Sequence, residues 1–203
     1  MSRRIGIFGG SFNPVHRGHL KLAKAAISEL NLDKVIFVPS RLTPLKNAQD
    51  LLPAEVRVRL LKRAVDADRR FGISLCEMKR PGVSYTVDTL KFFKKKYGGS
   101  AVMYFLAGND TVRNLPRWKK LPEVLRLSRF VIFSRPGHAV RAPKGPFLFM
   151  PFDAIDVSAS QIRKRLQEGR SVRELVPPGA ENELKRYFKA KTKRRASSNT
   201  IVK

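Results

Sequence analysis

Gly9-Gly10-Ser11-Phe12-Asn13-Pro14-Val15-His16-Arg17-Gly18-His19 decides how this chain is read. It follows the apolar run Ile5 to Phe8 and leads into a stretch where Leu20, Leu22, Ala23, Ala26, Ile27 and Leu30 share one helical face. A strand, a glycine turn and a helix N-terminus are expected in that order. Gly9 and Gly10 let the main chain approach a ligand without a Cβ in the way, and the free amides of a helix start favour an anion. His16 and His19, three apart on a first turn, put both rings on one side, beside that anion. Pro14 fixes the backbone just ahead.

Two general nucleotide motifs are absent. The glycines do not fall as G-x-G-x-x-G, and no G-x-x-x-x-G-K-[ST] occurs, so a dinucleotide fingerprint and a P-loop both lose their sequence support. What stands instead is G-G-S-F-N-P-x-H-x-G-H, a string with many specified positions.

Outward from this segment, apolar runs alternate with helical patterns, which predicts an α/β chain with a mainly parallel sheet. Strands are expected at Arg4 to Phe8, Lys34 to Val38, Ile73 to Cys76, Val102 to Ala107, Arg129 to Ser134 and Phe147 to Met150. Val56, Leu60, Leu61 and Ala64 give a helix over Ala54 to Asp68 its apolar face. Val87, Leu90 and Phe93 do the same for Thr86 to Tyr97, which Gly98 and Gly99 stop. Each ligand-like segment follows a strand, where an open parallel sheet binds ligands: Pro39 to Lys46, Glu77 to Asp88, and Gly108 to Asp110. Late in the chain, Ser158 is placed to cap a helix whose Ile162 and Leu166 lie one turn apart on its buried side, which leaves Arg163 facing elsewhere.

Length and composition narrow the class. The 203 residues suit one domain with a real core, and 42% hydrophobic content makes the chain globular. No apolar run approaches the ~20 residues that cross a bilayer, and the N-terminus enters the first strand without a signal-like apolar region, so no membrane partner and a cytoplasmic location are expected. The lone Cys76 excludes an internal disulfide and is read as a small buried apolar residue. The net charge of +26 exceeds what one nucleotide requires. Part of it lies in the basic C-terminal stretch, read as a flexible tail over 189–203. Weak nucleic-acid association through the basic surface and tail is the partner such charge suggests, although the tail lacks interleaved aromatics. Nothing specifies an oligomer.

The opening segment resembles the signature of the H-x-G-H nucleotidyltransferases, most closely the bacterial nicotinate-nucleotide adenylyltransferases. That resemblance implies a single Rossmann-like domain over 1–188, helices on both faces of the sheet, and an ATP triphosphate held by Gly9, Gly10, Ser11, Phe12, His16 and His19. Ser158, Ser160, Ile162 and Arg163 match the second signature, roughly I-S-S-T-x-I-R, whose hydroxyls, amides and arginine grip the triphosphate from the other side. Val157 and Ala159 depart from it mildly. His16, His19 and Arg163 are thereby the expected catalytic residues, with Lys46 a further cation. The resemblance also gives Gly108 and Asp110, from an F-I-x-G-x-D strand end, to ATP, and Arg135 with Gly137, from R-P-G, to the border of the adenine. His138 matches no motif.

Three strings point to the acceptor. Ser84-Tyr85-Thr86-Val87-Asp88-Thr89-Leu90 resembles the family's S-Y-T-x-D-T-L, with Gly82 and Val83 set between Pro81 and Ser84. Phe105 to Asp110 resembles its strand end, and Leu115-Pro116-Arg117-Trp118 resembles L-x-x-W, where the tryptophan stacks on the nicotinate ring. Tyr85, Thr86 and Trp118 are therefore expected to bind nicotinate mononucleotide. The implied reaction is in-line attack of its phosphate on the α-phosphorus of ATP, with pyrophosphate leaving. No general base is needed, because a phosphate monoester is already anionic, so positioning and charge stabilisation are the protein's task. Mg²⁺ is the implied cofactor, bound mainly through ATP phosphates and water, with no dedicated protein cage. The alternatives are a sibling enzyme for another phosphate monoester such as phosphopantetheine, or a basic nucleic-acid-binding protein on the same fold. A class I aminoacyl-tRNA synthetase fragment comes last, for want of a K-M-S-K-S-like partner.

Overall fold

The computed structural model describes residues 2–43, 51–134 and 144–200, with side chains described through residue 191. Lys46, Arg135, Gly137 and His138 lie outside the described residues. The elements run β1 (Arg3–Gly10), α1 (Arg17–Leu30), β2 (Lys34–Pro39), α2 (Ala54–Val65), β3 (Phe71–Ile73), α3 (Cys76–Lys79), α4 (Thr86–Tyr97), β4 (Ala101–Gly108), a 3₁₀ segment (Asn109–Arg117), α5 (Leu121–Leu127), β5 (Arg129–Ser134), β6 (Phe147–Pro151), α6 (Ala159–Gln167) and α7 (Ala180–Thr200). The six strands form one sheet in the order β3-β2-β1-β4-β5-β6, every adjacent pair parallel. Successive strands are added on one side of β1 as far as β3 and on its other side from β4 on, so the strand order reverses between β1 and β4. Loops leaving the two strands there part to opposite sides and open a crevice at their carboxyl ends.

Period-two alternation builds a core on each face of this sheet. Phe8, Val35, Phe37, Tyr104, Leu106, Val131 and Phe133 point to the face covered by α1, α2, α6 and α7. Ile5, Ile7, Ile36, Val38, Met103, Phe105, Phe130 and Ile132 point to the face covered by α4 and α5. Two buried faces explain why these strands read as continuous apolar runs. At β1 the packing is so close that a Cβ on Gly6 would stand 2.9 Å from Leu32 Cδ1.

Most expected elements lie within a residue or two of their predicted bounds, and α4 matches at both ends. The third strand is a correction. It runs Phe71–Ile73, earlier than expected, and Cys76 opens α3 instead. The register Val35↔Phe71, Ile36↔Gly72, Phe37↔Ile73 sets this edge strand by what β2 offers, not by the local apolar run. Cys76 is half-buried against the second core, and desolvation pushes its thiol pKa up. The helix α2 ends at Val65 with Asp66 as its cap. The helix α7 buries Ala180, Leu184 and Phe188 at four-residue spacing and continues to Thr200, so helix runs through the stretch read from sequence as a flexible tail. Among the described residues no helix is long and apolar enough to cross a membrane.

Candidate active site

The crevice is bounded by the turn after β1. Phe12 takes a left-handed φ of 43°, a conformation that costs a non-glycine residue roughly 1–3 kcal/mol unless its surroundings fix it. Its ring supplies the fixing. It is 1% exposed and packs edge-on to Phe8 at 5.6 Å and to His19 at 5.0 Å, and tilted against Phe37 at 5.6 Å. Phe12 therefore offers a ligand its main chain and not its ring. Ser11 is buried as well, and its carbonyl is held from behind by Arg57, 2.7 Å away.

His16 is the N-cap of α1 and His19 its third residue. The rings lie 3.6 Å apart, tilted by 30°. The His16 backbone N–H donates to His19 Nδ1 at 3.2 Å, so that nitrogen is an acceptor and the His19 proton sits on Nε2. Burial drives the His16 pKa from 6.5 down to about 4. In the free protein near neutral pH, His16 is therefore a neutral imidazole. Its Nδ1 is shielded from solvent. Gly18 explains the glycine between the histidines. A Cβ there would stand 3.0 Å from Val157 Cγ1 and 3.1 Å from His16 Nδ1.

That contact brings the late segment in. Val157 precedes Ser158, whose Oγ accepts from the Gln161 N–H at 3.1 Å and caps α6 as expected. Ile162 and Leu166 are buried. Arg163 leaves the buried face and donates from Nη1 to the carbonyl of Asn13, 2.9 Å away, with Nη2 3.5 Å from Ser160 Oγ. Residues 150 positions apart in the chain thus meet at one turn, and the approach of Val157 to Gly18 sets the starts of α1 and α6 side by side.

β4 ends at Gly108, and a Cβ there would meet Asp110 Oδ1 at 2.9 Å, so the Asp110 carboxylate folds back over the strand end. Tyr85 caps α4 and Thr86 is its first residue. Lys119 Nζ lies over the Tyr85 ring, 4.3 Å from its centre, and ties the segment carrying Trp118 to the start of α4. Trp118, expected to bind nicotinate mononucleotide, is half-buried against the second core: its rings pack against Phe105 and Phe130, each 5.6 Å away.

Two site-framing residues were passed over in the sequence reading. Arg57 is 1% exposed and spends its donors on loop carbonyls. Glu77 is buried, its pKa raised by desolvation, and accepts a hydroxyl bond from Thr89 at 2.5 Å. A signal for Arg57 existed, since it lies four residues before Leu61 on the buried side of α2. An open cavity of about 600 Å³ between Ile73, Cys76, Arg80 and Phe92 contains none of the expected site residues.

Comparison with known proteins agrees with this geometry. The cytidylyltransferase-like family profile matches residues 7–165, from within β1 to within α6. A Bacillus subtilis nicotinate-nucleotide adenylyltransferase is 36% identical over 185 residues, covering 91% of this chain and 95% of the relative. The chain belongs to the nicotinate-nucleotide adenylyltransferase family. Among solved structures, a Plasmodium falciparum nicotinic acid mononucleotide adenylyltransferase complexed with NaAD superposes with a TM-score of 0.72 at 21% identity, covering 91% of this chain and 96% of that one. The same enzyme complexed with APC gives 0.70 at 20% identity over the same shares. At that identity the likeness is one of fold. For this adenylyltransferase-family chain, Gly18 and Arg163 are the points at which the two signature segments touch.

Proposed function

We infer that the chain transfers the adenylyl group of ATP to nicotinate mononucleotide, giving nicotinate adenine dinucleotide and pyrophosphate in NAD biosynthesis. The observation that carries this reading is the bond from Arg163 to the Asn13 carbonyl, because it makes one crevice of two distant signature segments. A mononucleotide phosphate oxygen attacks the α-phosphorus; the new P–O bond forms as the bond to the β-phosphate oxygen breaks, and pyrophosphate leaves with the electron pair. The Gly18 amide of α1, the Ala159 and Ser160 amides of α6, the His19 Nε2–H and the Arg163 guanidinium stabilise charge on the α- and β-phosphate oxygens. Neutral His16 acts as a hydrogen-bonding group there, and a bound polyanion beside it raises its proton affinity. Asp110 is suited to a ribose hydroxyl, with Lys46 and Arg135 as further ATP contacts. Tyr85, Thr86 and Trp118 form the acceptor side, where main-chain amides favour a pyridine carboxylate over an amide by about 1–3 kcal/mol for the group left unpaired.

Among the described residues no three His, Cys, Asp or Glu side chains group to hold a metal. A Mg²⁺ held mainly by the triphosphate and water would offset phosphate charge when bound. ATP is abundant in the cytoplasm, and we place the reaction there.

The test is an acceptor panel. With ATP and Mg²⁺, nicotinate mononucleotide should release pyrophosphate at least tenfold faster per kcat/KM than nicotinamide mononucleotide, and phosphopantetheine should release none. Preference for phosphopantetheine would replace this reading with a sibling enzyme.

A further inference from the structure

Arg57 is the largest fully buried side chain of the molecule's described residues, and its hydrogen bonds go to main-chain carbonyls, with the Glu55 charge near enough to favour the guanidinium. Burial lowers its pKa, yet a guanidinium remains charged near neutral pH. Its planar fork reaches carbonyls of three separate segments. Nε donates to Leu52 at 3.0 Å, and Nη1 donates to Ser11 at 2.7 Å and to Ser40 at 2.8 Å. A buried cation satisfied only by main-chain carbonyls is an expensive way to stabilise a helix that already has Leu60 and Leu61 in the core. Its partners are the chain turns that frame the crevice.

We propose that Arg57 is a positioning residue that holds the triphosphate turn and the acceptor loop in one register; this rests on the assignment of those loops to ATP and the mononucleotide. The bonds run without a break. In a trans peptide the C=O and N–H point opposite ways. With the Ser40 carbonyl turned to Arg57, the Arg41 N–H points the other way and donates to Ser84 Oγ at 3.2 Å. The Ser84 N–H returns to the Leu42 carbonyl at 2.9 Å, and the Ser84 side chain bonds Glu77, which also holds Thr89 of α4. Tyr85 and Thr86 come directly after Ser84. On the other side, the Ser11 carbonyl turned to Arg57 sends the Phe12 N–H away from it, to the ligand side of the turn. The Leu52 N–H donates to Asn13 Oδ1 at 2.7 Å, and Asn13 also receives Arg163. One guanidinium thereby orients amides of both half-sites.

The experiment compares the full chain with Arg57→Lys and with Leu61→Ala, a buried neighbour on the same helix, reading KM for each substrate, kcat, melting temperature and amide hydrogen exchange. Lysine keeps the charge but cannot span three carbonyls. Arg57→Lys should raise both KM values at least fivefold, and amides of Leu52, Arg41 and Ser84 should exchange at least tenfold faster. Leu61→Ala should lower the melting temperature and leave both KM values within twofold. If Arg57→Lys shows KM values and exchange rates within twofold of the parent, or behaves as Leu61→Ala does, the proposal is overturned; a change in only one KM overturns the shared register. Where Arg57→Lys folds poorly, Ser84→Ala cuts the same run of bonds at its far end: faster Arg41 exchange and a fivefold rise in mononucleotide KM support the proposal, and parental values overturn it. A parent that ignores nicotinate mononucleotide would sink the substrate assignment alone, because the exchange rates still decide for or against Arg57.

Discussion

Replacing Gly18 with alanine sets two opposed effects against each other. Gly18 is the second residue of α1, and alanine in place of glycine favours a helix by up to about 1 kcal/mol. The new methyl would stand 3.0 Å from Val157 Cγ1, 3.1 Å from His16 Nδ1 and 3.3 Å from His16 Cε1, so the neighbours must retreat by a few tenths of an ångström. Overpacking of this kind costs about 1–3 kcal/mol. The net expectation is a loss of stability between zero and about 3 kcal/mol, too small to unfold a domain of this size. Catalysis should suffer more, because both groups that must move belong to the crevice: the His16 ring and the residue before the α6 cap. A misplacement of about 1 Å can cost about a hundredfold, so these smaller shifts should lower kcat/KM by roughly tenfold. The assay is pyrophosphate release from ATP and nicotinate mononucleotide, with urea unfolding run on the same preparation. Adding Val157→Ala removes the nearest contact and should recover part of the loss. Activity of Gly18→Ala within twofold of the parent would refute the claim that the two segments must touch here.

Two further outcomes follow from burial and charge. The folded pKa of His16, about 4 against an ordinary 6.5, is depressed, so between those values the unfolded chain binds more protons than the folded one. The contribution is intact above pH 6.5 and lost as pH falls towards 4, by at most about 3 kcal/mol. Urea midpoints across that window should fall for the parent and fall less for His16→Gln; equal slopes would contradict a buried neutral ring. Asp68 and Glu181, held at about 2 chiefly by hydrogen bonds from Arg70 and Ser171, act mostly below this window. Deletion of residues 189–203, beyond Phe188, the last buried side chain described in α7, should leave kcat/KM within twofold at moderate salt while lowering the salt dependence of any RNA binding. A collapse in turnover would show that this stretch supports the site.

Local patterns made much of the fold legible. The α4 helix matches at both ends because Val87, Leu90 and Phe93 fall at helical spacing and Gly98, at φ 61°, stops it. The α6 cap was equally plain, since Ser158 satisfies an amide three residues away in its own chain. The third strand was not, because an edge strand of three residues takes its register from β2. The packing of Trp118 was not legible either, because Phe105 and Phe130, which give its rings an apolar surface, are distant in sequence.

Read alone, then, the residues determined the order of strands and helices, the family signatures and the kind of chemistry they suit, because those depend on spacing within a few turns of chain. Only the folded chain decided that Arg163 meets Asn13, that His16 is neutral, and that Arg57 is buried among loop carbonyls. Hydrogen-bond partners and desolvation are set by segments far apart in sequence, and an arginine in a helical pattern reads as a solvent-facing cation until the loops that enclose it are in place.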